Sequence, residues 1–108
     1  MSSYSEIYIY VDDIREDYSD VHVPDGMAFI HARTARGAIA ALKEAIFYKS
    51  KIIVDLDHDL GSGWSGYDVA KWIVEKGYPD IKFHIHSANP VGVANIRQLL
   101  THYGYEEI

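Results

Sequence analysis

Four short segments of the chain are rich in apolar residues, most of which alternate with polar ones, and this pattern predicts β-strands. We predict strands at residues 6–11, 27–32, 52–56 and 81–86. Three other segments carry apolar residues at helical spacing, and each begins with a residue that caps helices well. Thr34, Ser65 and Asn89 are these expected N-caps. Because strands and helices alternate, we expect a parallel sheet with right-handed crossovers.

The stretch between the first two predicted strands, residues 13–26, shows no helical stripe and contains proline and several aspartates. We interpret it as a loop that is longer than most loops inside compact domains. Long loops of this kind often have a function.

The alternation within the strands also predicts which side of the sheet the helices cover. One face carries mainly isoleucine, valine and leucine: Ile7, Ile9, Val11, Ile52, Val54, Leu56, Ile81, Phe83 and Ile85. The other face carries tyrosine, histidine and charged residues: Tyr8, Tyr10, Asp55, Lys82 and His84. We expect all three helices on the apolar face, so that the other face is left to solvent, to the loop 13–26 or to a second subunit. Since a bare parallel sheet is rarely left in water, we expect a homodimer that buries Tyr8 or Tyr10.

Length and charge limit the class of protein. The 108 residues suffice for one domain, residues 1–108, and leave little room for a second. The net charge of -6 disfavours nonspecific binding to nucleic acids but allows a small phosphorylated ligand. The chain has no cysteine, no apolar run that could span a membrane and no signal-peptide pattern at its start, so we expect a cytoplasmic protein.

Polar residues follow three of the predicted strands directly. They are Asp12 and Asp13, then Asp57, His58 and Asp59, and finally His86, Ser87 and Asn89. Carboxylates and imidazoles are poor packing material there, and they are typical of sites that handle a cation, a phosphate or a proton. Ligands of open α/β sheets bind beyond the carboxyl ends of the strands, so we expect one shared site.

The order of these residues resembles a response-regulator receiver domain, with acidic residues after strand one, Asp57 after strand three and Ser87 after strand four. A finer pattern resembles the cyclic-phosphate-processing receiver-like family, a compact derivative of receivers. It consists of four segments in order: Val11-Asp12-Asp13-Ile14-Arg15, Leu56-Asp57-His58-Asp59-Leu60-Gly61, Ser65-Gly66-Tyr67-Asp68 and His86-Ser87-Ala88-Asn89-Pro90-Val91-Gly92. The resemblance implies a receiver fold and a role in processing cyclic phosphate groups on nucleotides or RNA-derived products.

Together with the predicted elements, the resemblance leads us to expect a truncated receiver (flavodoxin-like) α/β fold. We expect a four-stranded parallel sheet with three helices mainly on one face. Two parts of a receiver are expected to be missing, namely the helix after strand one and the fifth strand, which carries the receiver's lysine. Without that lysine, phosphorelay signalling with Asp57 as the phosphoacceptor is disfavoured.

Asp12, Asp13 and Asp57 are the candidate metal ligands, since hard cations such as Mg²⁺ take carboxylate oxygens. We expect Mg²⁺ or Mn²⁺ as an optional cofactor. The alternative is that Asp12 and Asp13 only form a turn and cap neighbouring amides.

His58 and His86 are the candidate proton-transfer pair, because imidazole titrates near neutral pH. Opening a cyclic phosphodiester needs one group to activate water and another to protonate the leaving alkoxide. Asp57 is a third candidate catalytic residue, as a general base or as a ligand. The alternative is that each histidine is bonded to a neighbouring carboxylate and orients a loop.

Five further residues are candidates for binding the substrate. They are Arg15, Asp59, Ser87, Asn89 and Gly92. Arg15 could supply a guanidinium fork for phosphate or form a surface ion pair, and Ser87 stands where a receiver hydroxyl contacts a phosphoryl oxygen. Asn89 would cap a helix that aims amides at the site. Gly92 would allow close approach to a ligand or relieve packing, and Asp59 would orient a histidine or belong to a loop.

We therefore predict a small phosphoesterase that acts on a cyclic phosphate of a nucleotide or RNA-derived product by acid-base catalysis. Its partner would be a small phosphorylated ligand or a cyclic nucleotide. The alternative is a binding module, a receiver-like domain that holds a nucleotide or a partner without turnover. The glycine-rich residues 61–66 suit a flap whose Trp64 stacks on a base, or an exposed turn with Trp64 packed on the core.

Overall fold

The computed structural model describes residues 5–61 and 63–108. Residues 1–4, where a signal peptide would begin, and Ser62 of the predicted flap lie outside the described residues. The elements in chain order are β1 (Glu6–Val11), β2 (Ala28–Ala32), α1 (Ala35–Phe47), β3 (Lys51–Leu56), α2 (Gly66–Lys76), β4 (Ile81–Ile85), α3 (Pro90–His102) and β5 (Glu106–Glu107). The strands are all parallel, and they form one sheet in the order β2-β1-β3-β4-β5.

The helices begin where the sequence predicts them to begin. The side chain of Thr34 accepts a hydrogen bond from the Gly37 amide at the start of α1, and Ser65 forms a capping box with Asp68 at the start of α2. Asn89 caps α3, where proline occupies the first helical position. The predicted bounds of the first four strands are confirmed to within one residue at each end.

The prediction of a four-stranded sheet without a fifth strand is wrong. β5 pairs with β4 through Lys82 and Phe83, and the amide of Ile108 donates to the Phe83 carbonyl at 2.8 Å. Two consecutive glutamates carry no alternation of apolar residues, so the sequence pattern does not predict a strand there. The strand forms because α3 returns the chain to the free edge of β4. Both residues of this strand are glutamates, and neither is the lysine of a receiver.

All three helices pack on the apolar face of the sheet, as predicted. One core joins residues of β1, β3 and β4 to residues of each helix: Ile9, Val54, Phe83, Leu42, Ile73 and Ile96. Residues 12–27 contain neither helix nor strand, so the predicted loop after β1 is confirmed. No helix in the described residues is long and apolar enough to cross a membrane.

The opposite face is covered more completely than the sequence suggested. Tyr8 and Tyr10 are only 3% and 1% exposed within the single chain. Phe29 stacks beside both rings, and Tyr18 from the loop meets Tyr10 edge-on at 5.8 Å. The loop is polar overall, but the ring of its Tyr18 and the guanidinium of its Arg15 both contact Tyr10. A homodimer stays a prediction, but burial of these two tyrosines cannot drive it, because the chain already buries them.

Candidate functional site

The centre of the candidate site is the imidazole of His86, which follows β4 directly. Its Nδ1 lies 2.6 Å from Asp55 Oδ1, and its Nε2 lies 3.0 Å from Asp12 Oδ2. The ring of Tyr10 stacks on the imidazole at 4.5 Å with an interplanar angle of 6°. Asp55 is 3% exposed, and its second oxygen accepts a hydrogen bond from the Tyr8 hydroxyl at 2.5 Å. The ring of His86 is therefore held on both nitrogens and on one face.

Asp12 is fixed by the turn that follows β1. Its Oδ1 accepts hydrogen bonds from the amides of Ile14 at 3.0 Å and Arg15 at 2.8 Å, which leaves Oδ2 for His86. Burial alone would raise the pKa of Asp12, but these two amides and His86 outweigh it and lower the pKa. Asp12 is therefore a carboxylate at neutral pH.

Asp57 follows β3 and lies beside the same cluster. Burial and the negative charge of Asp12 raise the pKa of Asp57, although the Asp59 amide and the Ser87 hydroxyl oppose that shift. The pKa of Asp12 is thus lowered and the pKa of Asp57 raised from the ordinary carboxyl value. Pairs of acidic groups whose pKa values are pushed apart are typical of functional sites.

Asp12, Asp57 and His86 could hold a metal ion. One ligand atom from each lies within 4.8 Å of the other two. Two carboxylates suit a hard cation such as Mg²⁺, and an imidazole nitrogen is better suited to Mn²⁺. Asp13, the third predicted ligand, does not join this group. Its carboxylate points toward Gly61, where an added Cβ would lie 3.4 Å from Asp13 Oδ2.

The protonation of His86 decides between two uses of its Nε2. Burial lowers the pKa of His86, but the hydrogen bonds and charges of Asp55 and Asp12 outweigh burial and raise it. An imidazolium would offset part of the charge of the three neighbouring aspartates. Because a proton and a metal ion compete for the same nitrogen, His86 serves either as a proton donor or as a ligand in any one step.

His58 belongs to a second cluster at the same edge of the sheet. Its Nδ1 lies 3.0 Å from Asp59 Oδ1 and 3.4 Å from Nδ2, the side-chain amide nitrogen of Asn89. The ring packs against α3 at Gly92, where an added Cβ would lie only 2.4 Å from His58 Cγ. Gly92 is therefore what allows the close approach of His58 to the helix. The two predicted catalytic histidines are held by different aspartates, His58 by Asp59 and His86 by Asp55 and Asp12.

The remaining predicted residues divide between these clusters. Ser87 is half-buried, accepts a hydrogen bond from the Asn89 amide at 3.2 Å and bonds with Asp57. Asn89 caps α3 by accepting from the Gly92 amide at 3.0 Å, as expected. Arg15 instead lies over the sheet face that carries Tyr8 and Tyr10, where its guanidinium pairs with Asp20 at 3.0 Å. Its surface ion pair, one of the two predicted alternatives, is therefore present.

The sequence pattern assigns no chemical role to three residues of the cluster. The strand alternation places Asp55, Tyr8 and Tyr10 on the correct face, but only the fold shows that Asp55 and Tyr10 contact His86 and that Tyr8 bonds Asp55. The available signal was an aspartate inside an otherwise apolar strand, since a buried carboxylate there needs partners.

Trp64 of the predicted flap is 54% exposed, and the guanidinium of Arg36 lies 5.8 Å from its ring centroid. The exposure of Trp64 agrees with the alternative of an exposed turn. Its ring, however, packs on an arginine rather than on the core. Stacking of Trp64 on a base stays a prediction.

A comparison with protein families matches residues 7–102 of this chain to the model described as the cyclic-phosphate processing receiver domain. A comparison with solved structures finds the signal receiver domain of a protein described as a LuxO repressor from Vibrio parahaemolyticus. The TM-score is 0.61 at 21% sequence identity, over 94% of this chain and 75% of that one, and this similarity shows the fold alone. No curated protein matches.

Proposed function

This chain belongs to the family of cyclic-phosphate processing receiver domains, and we propose that it hydrolyses a cyclic phosphate ester of a nucleotide or of an RNA-derived end. The observation that carries the proposal is the imidazole of His86, held between Asp55 and Asp12 beside Asp57. Such an arrangement suits proton transfer at a phosphate better than packing, because it places several ionisable groups at one partly buried point.

His86 is proposed to protonate the leaving alkoxide when the ring of the cyclic phosphate opens. Both of its nitrogens are bonded to carboxylates, and its raised pKa keeps it protonated further into the neutral range. Asp55 then acts as a positioning residue, which holds the imidazole in one orientation and stabilises its charge.

His58 is proposed to take the proton from the attacking water. Asp59 and Asn89 engage its Nδ1, so Nε2 is the nitrogen left to face a water molecule. The Ser87 hydroxyl and the amides at the start of α3 would hold the phosphate oxygens between the two histidines. The two histidines are thus oriented by different aspartates, and each can take a separate role.

The carboxylates of Asp12 and Asp57 are proposed to hold a divalent cation, Mg²⁺ or Mn²⁺. Two carboxylates so close together would repel an anionic substrate, and a divalent cation would offset that repulsion and polarise a phosphoryl oxygen. Binding of Mn²⁺ can be measured by calorimetry without any substrate. We expect Asp12→Asn and Asp57→Asn to weaken it strongly, while the matched variant Asp13→Asn stays close to wild type. Equal effects of all three substitutions would contradict this assignment.

Turnover is tested by ³¹P NMR of the purified protein with a panel of cyclic phosphates, with and without Mg²⁺ or Mn²⁺. We expect His86→Ala and His58→Ala each to lower turnover by about 10²- to 10⁴-fold, as loss of a general acid or base does. His102→Ala is the matched control, because His102 is an exposed histidine in the last turn of α3. Binding of a cyclic phosphate with no turnover would refute the hydrolase and favour the binding module.

A further inference from the structure

A cavity of about 310 Å³ lies on the sheet face that the helices leave open. Its lining includes Tyr10, Arg15, Asp20, Asp55 and His86. Asp55 and His86 also belong to the cluster around Asp12. The cavity and the reacting centre proposed above therefore meet at the ring of His86.

Tyr10, one of the residues that line the cavity, carries a hydroxyl without a hydrogen bond to any described residue. Among the described residues it is a buried side-chain polar atom with no hydrogen-bond partner, and Tyr10 is 1% exposed. A tyrosine hydroxyl carries its proton at neutral pH and can donate one hydrogen bond. Buried hydroxyls are normally bonded. An acceptor brought by a ligand would therefore satisfy it.

A guanidinium lies over the same ring. The Arg15 guanidinium is 5.9 Å from the ring centroid of Tyr10, and its Nη2 donates to the two oxygens of Asp20 at 3.1 and 3.0 Å. The Asp20 side chain is 71% exposed, and exposed ion pairs contribute little net stability. The carboxylate of Asp20 thus occupies the fork that an anionic ligand would use, and a phosphate could replace it.

We propose that this cavity is a subsite for a second phosphate of the substrate, bound by the Arg15 guanidinium and the Tyr10 hydroxyl once Asp20 has turned away. The proposal rests on the proposed function and names its substrate class, an RNA-type end that carries a phosphodiester besides its cyclic phosphate. The two sites adjoin at the ring of Tyr10, because the Arg15 guanidinium lies 5.9 Å and the His86 imidazole 4.5 Å from the centroid of that ring. One dinucleotide can span both.

The test compares two ligands that the protein cannot hydrolyse as cyclic esters, adenosine 3′-phosphate and adenylyl-adenosine 3′-phosphate, by calorimetry. We expect the dinucleotide to bind about tenfold more tightly, because it adds a charge-assisted phosphate contact. Arg15→Ala should abolish this advantage, and Tyr10→Phe should reduce it while keeping the ring stacked on His86. Asp20→Asn should increase the advantage, because it removes the competing carboxylate.

The substitutions at Arg15 and Asp20 should change the binding advantage of the dinucleotide in opposite directions. If the ion pair were merely structural, removing either partner would change that advantage in the same direction. Arg97→Ala is the matched control, since Arg97 forms an exposed two-bond pair with Glu107 and does not line the cavity. Equal binding of the two ligands, no binding of either, or effects of the same sign at Arg15 and Asp20 would overturn the subsite. If the dinucleotide binds more tightly but no cyclic phosphate is turned over, the hydrolase is refuted and the subsite stands. If a cyclic phosphate is turned over but the two ligands bind equally, the subsite is refuted and the hydrolase stands.

Discussion

Asp55→Asn is the substitution that most directly tests how His86 is held. The asparagine keeps the shape of the side chain and a carbonyl oxygen for the Tyr8 hydroxyl, but it removes the negative charge 2.6 Å from His86 Nδ1. Asp55 is the first contributor among those that raise the pKa of His86. We therefore expect the pKa of His86 to fall in the variant, as followed by NMR titration of the imidazole.

The loss of stability can be estimated from burial. Removing one partner of a buried pair costs about 3–5 kcal/mol. The His86 side chain is 20% exposed and Asp12 remains bonded to it, so we expect a smaller loss of about 2–3 kcal/mol. Against a total free energy of unfolding of about 5–15 kcal/mol for a domain, this loss is easily measured by urea denaturation.

The pH dependence of this loss has a definite sign. A folded-state pKa that is raised above the unfolded value of about 6.5 contributes stability that is fully present below that value. This contribution disappears as the pH rises through the folded pKa of His86. The difference between wild type and Asp55→Asn should therefore be larger at about pH 6 than at about pH 9.

Asp59→Asn is the matched control, because Asp59 also bonds a histidine but its side chain is 66% exposed. An exposed pair of this kind contributes about 0–1 kcal/mol. An unchanged pKa of His86 in Asp55→Asn would refute the reasoning. So would a loss of stability that is the same at both pH values, or one no larger than that of Asp59→Asn.

Three further predictions concern the same edge of the sheet. Gly92→Ala should destabilise the fold by about 1–3 kcal/mol, because Gly92 is buried and an added Cβ would lie 2.4 Å from Cγ of His58, the ring atom nearest the backbone. Turnover should also fall as that ring leaves Asp59, and normal turnover would contradict the role of His58. Gly66→Ala should destabilise the fold by about 3 kcal/mol, because its Cβ would lie 2.0 Å from the backbone oxygen of Asp57, and a melting temperature near wild type would contradict this. Finally, kcat/KM should show a falling limb as the pH rises through the pKa of His86, besides the rising limb at lower pH that a neutral His58 base requires. Only the falling limb should move to lower pH in Asp55→Asn, and a shift of the rising limb instead would indicate that neutral His86 is required, as for a metal ligand.

The sequence by itself determined the local elements and the place of the site. The caps Thr34, Ser65 and Asn89 bond to amides within the next three residues, so they depend only on neighbouring positions. The alternation of β1, β3 and β4 likewise assigned each side chain to a face, because a strand turns successive residues to opposite sides. The polar strand ends then had to meet at one edge of a parallel sheet.

Only the tertiary structure decided which polar groups bond with each other. His86 contacts Asp55 and Asp12, which lie 31 and 74 positions away along the chain, and neither pairing follows from local spacing. The separation of His58 from that cluster depends on its close packing against Gly92 of α3. β5 forms for a similar reason, since two glutamates become a strand only where β4 offers a free edge. The burial of Tyr8 and Tyr10 also depends on contacts between distant segments, because Phe29 and the loop after β1 lie beside them only in the folded chain.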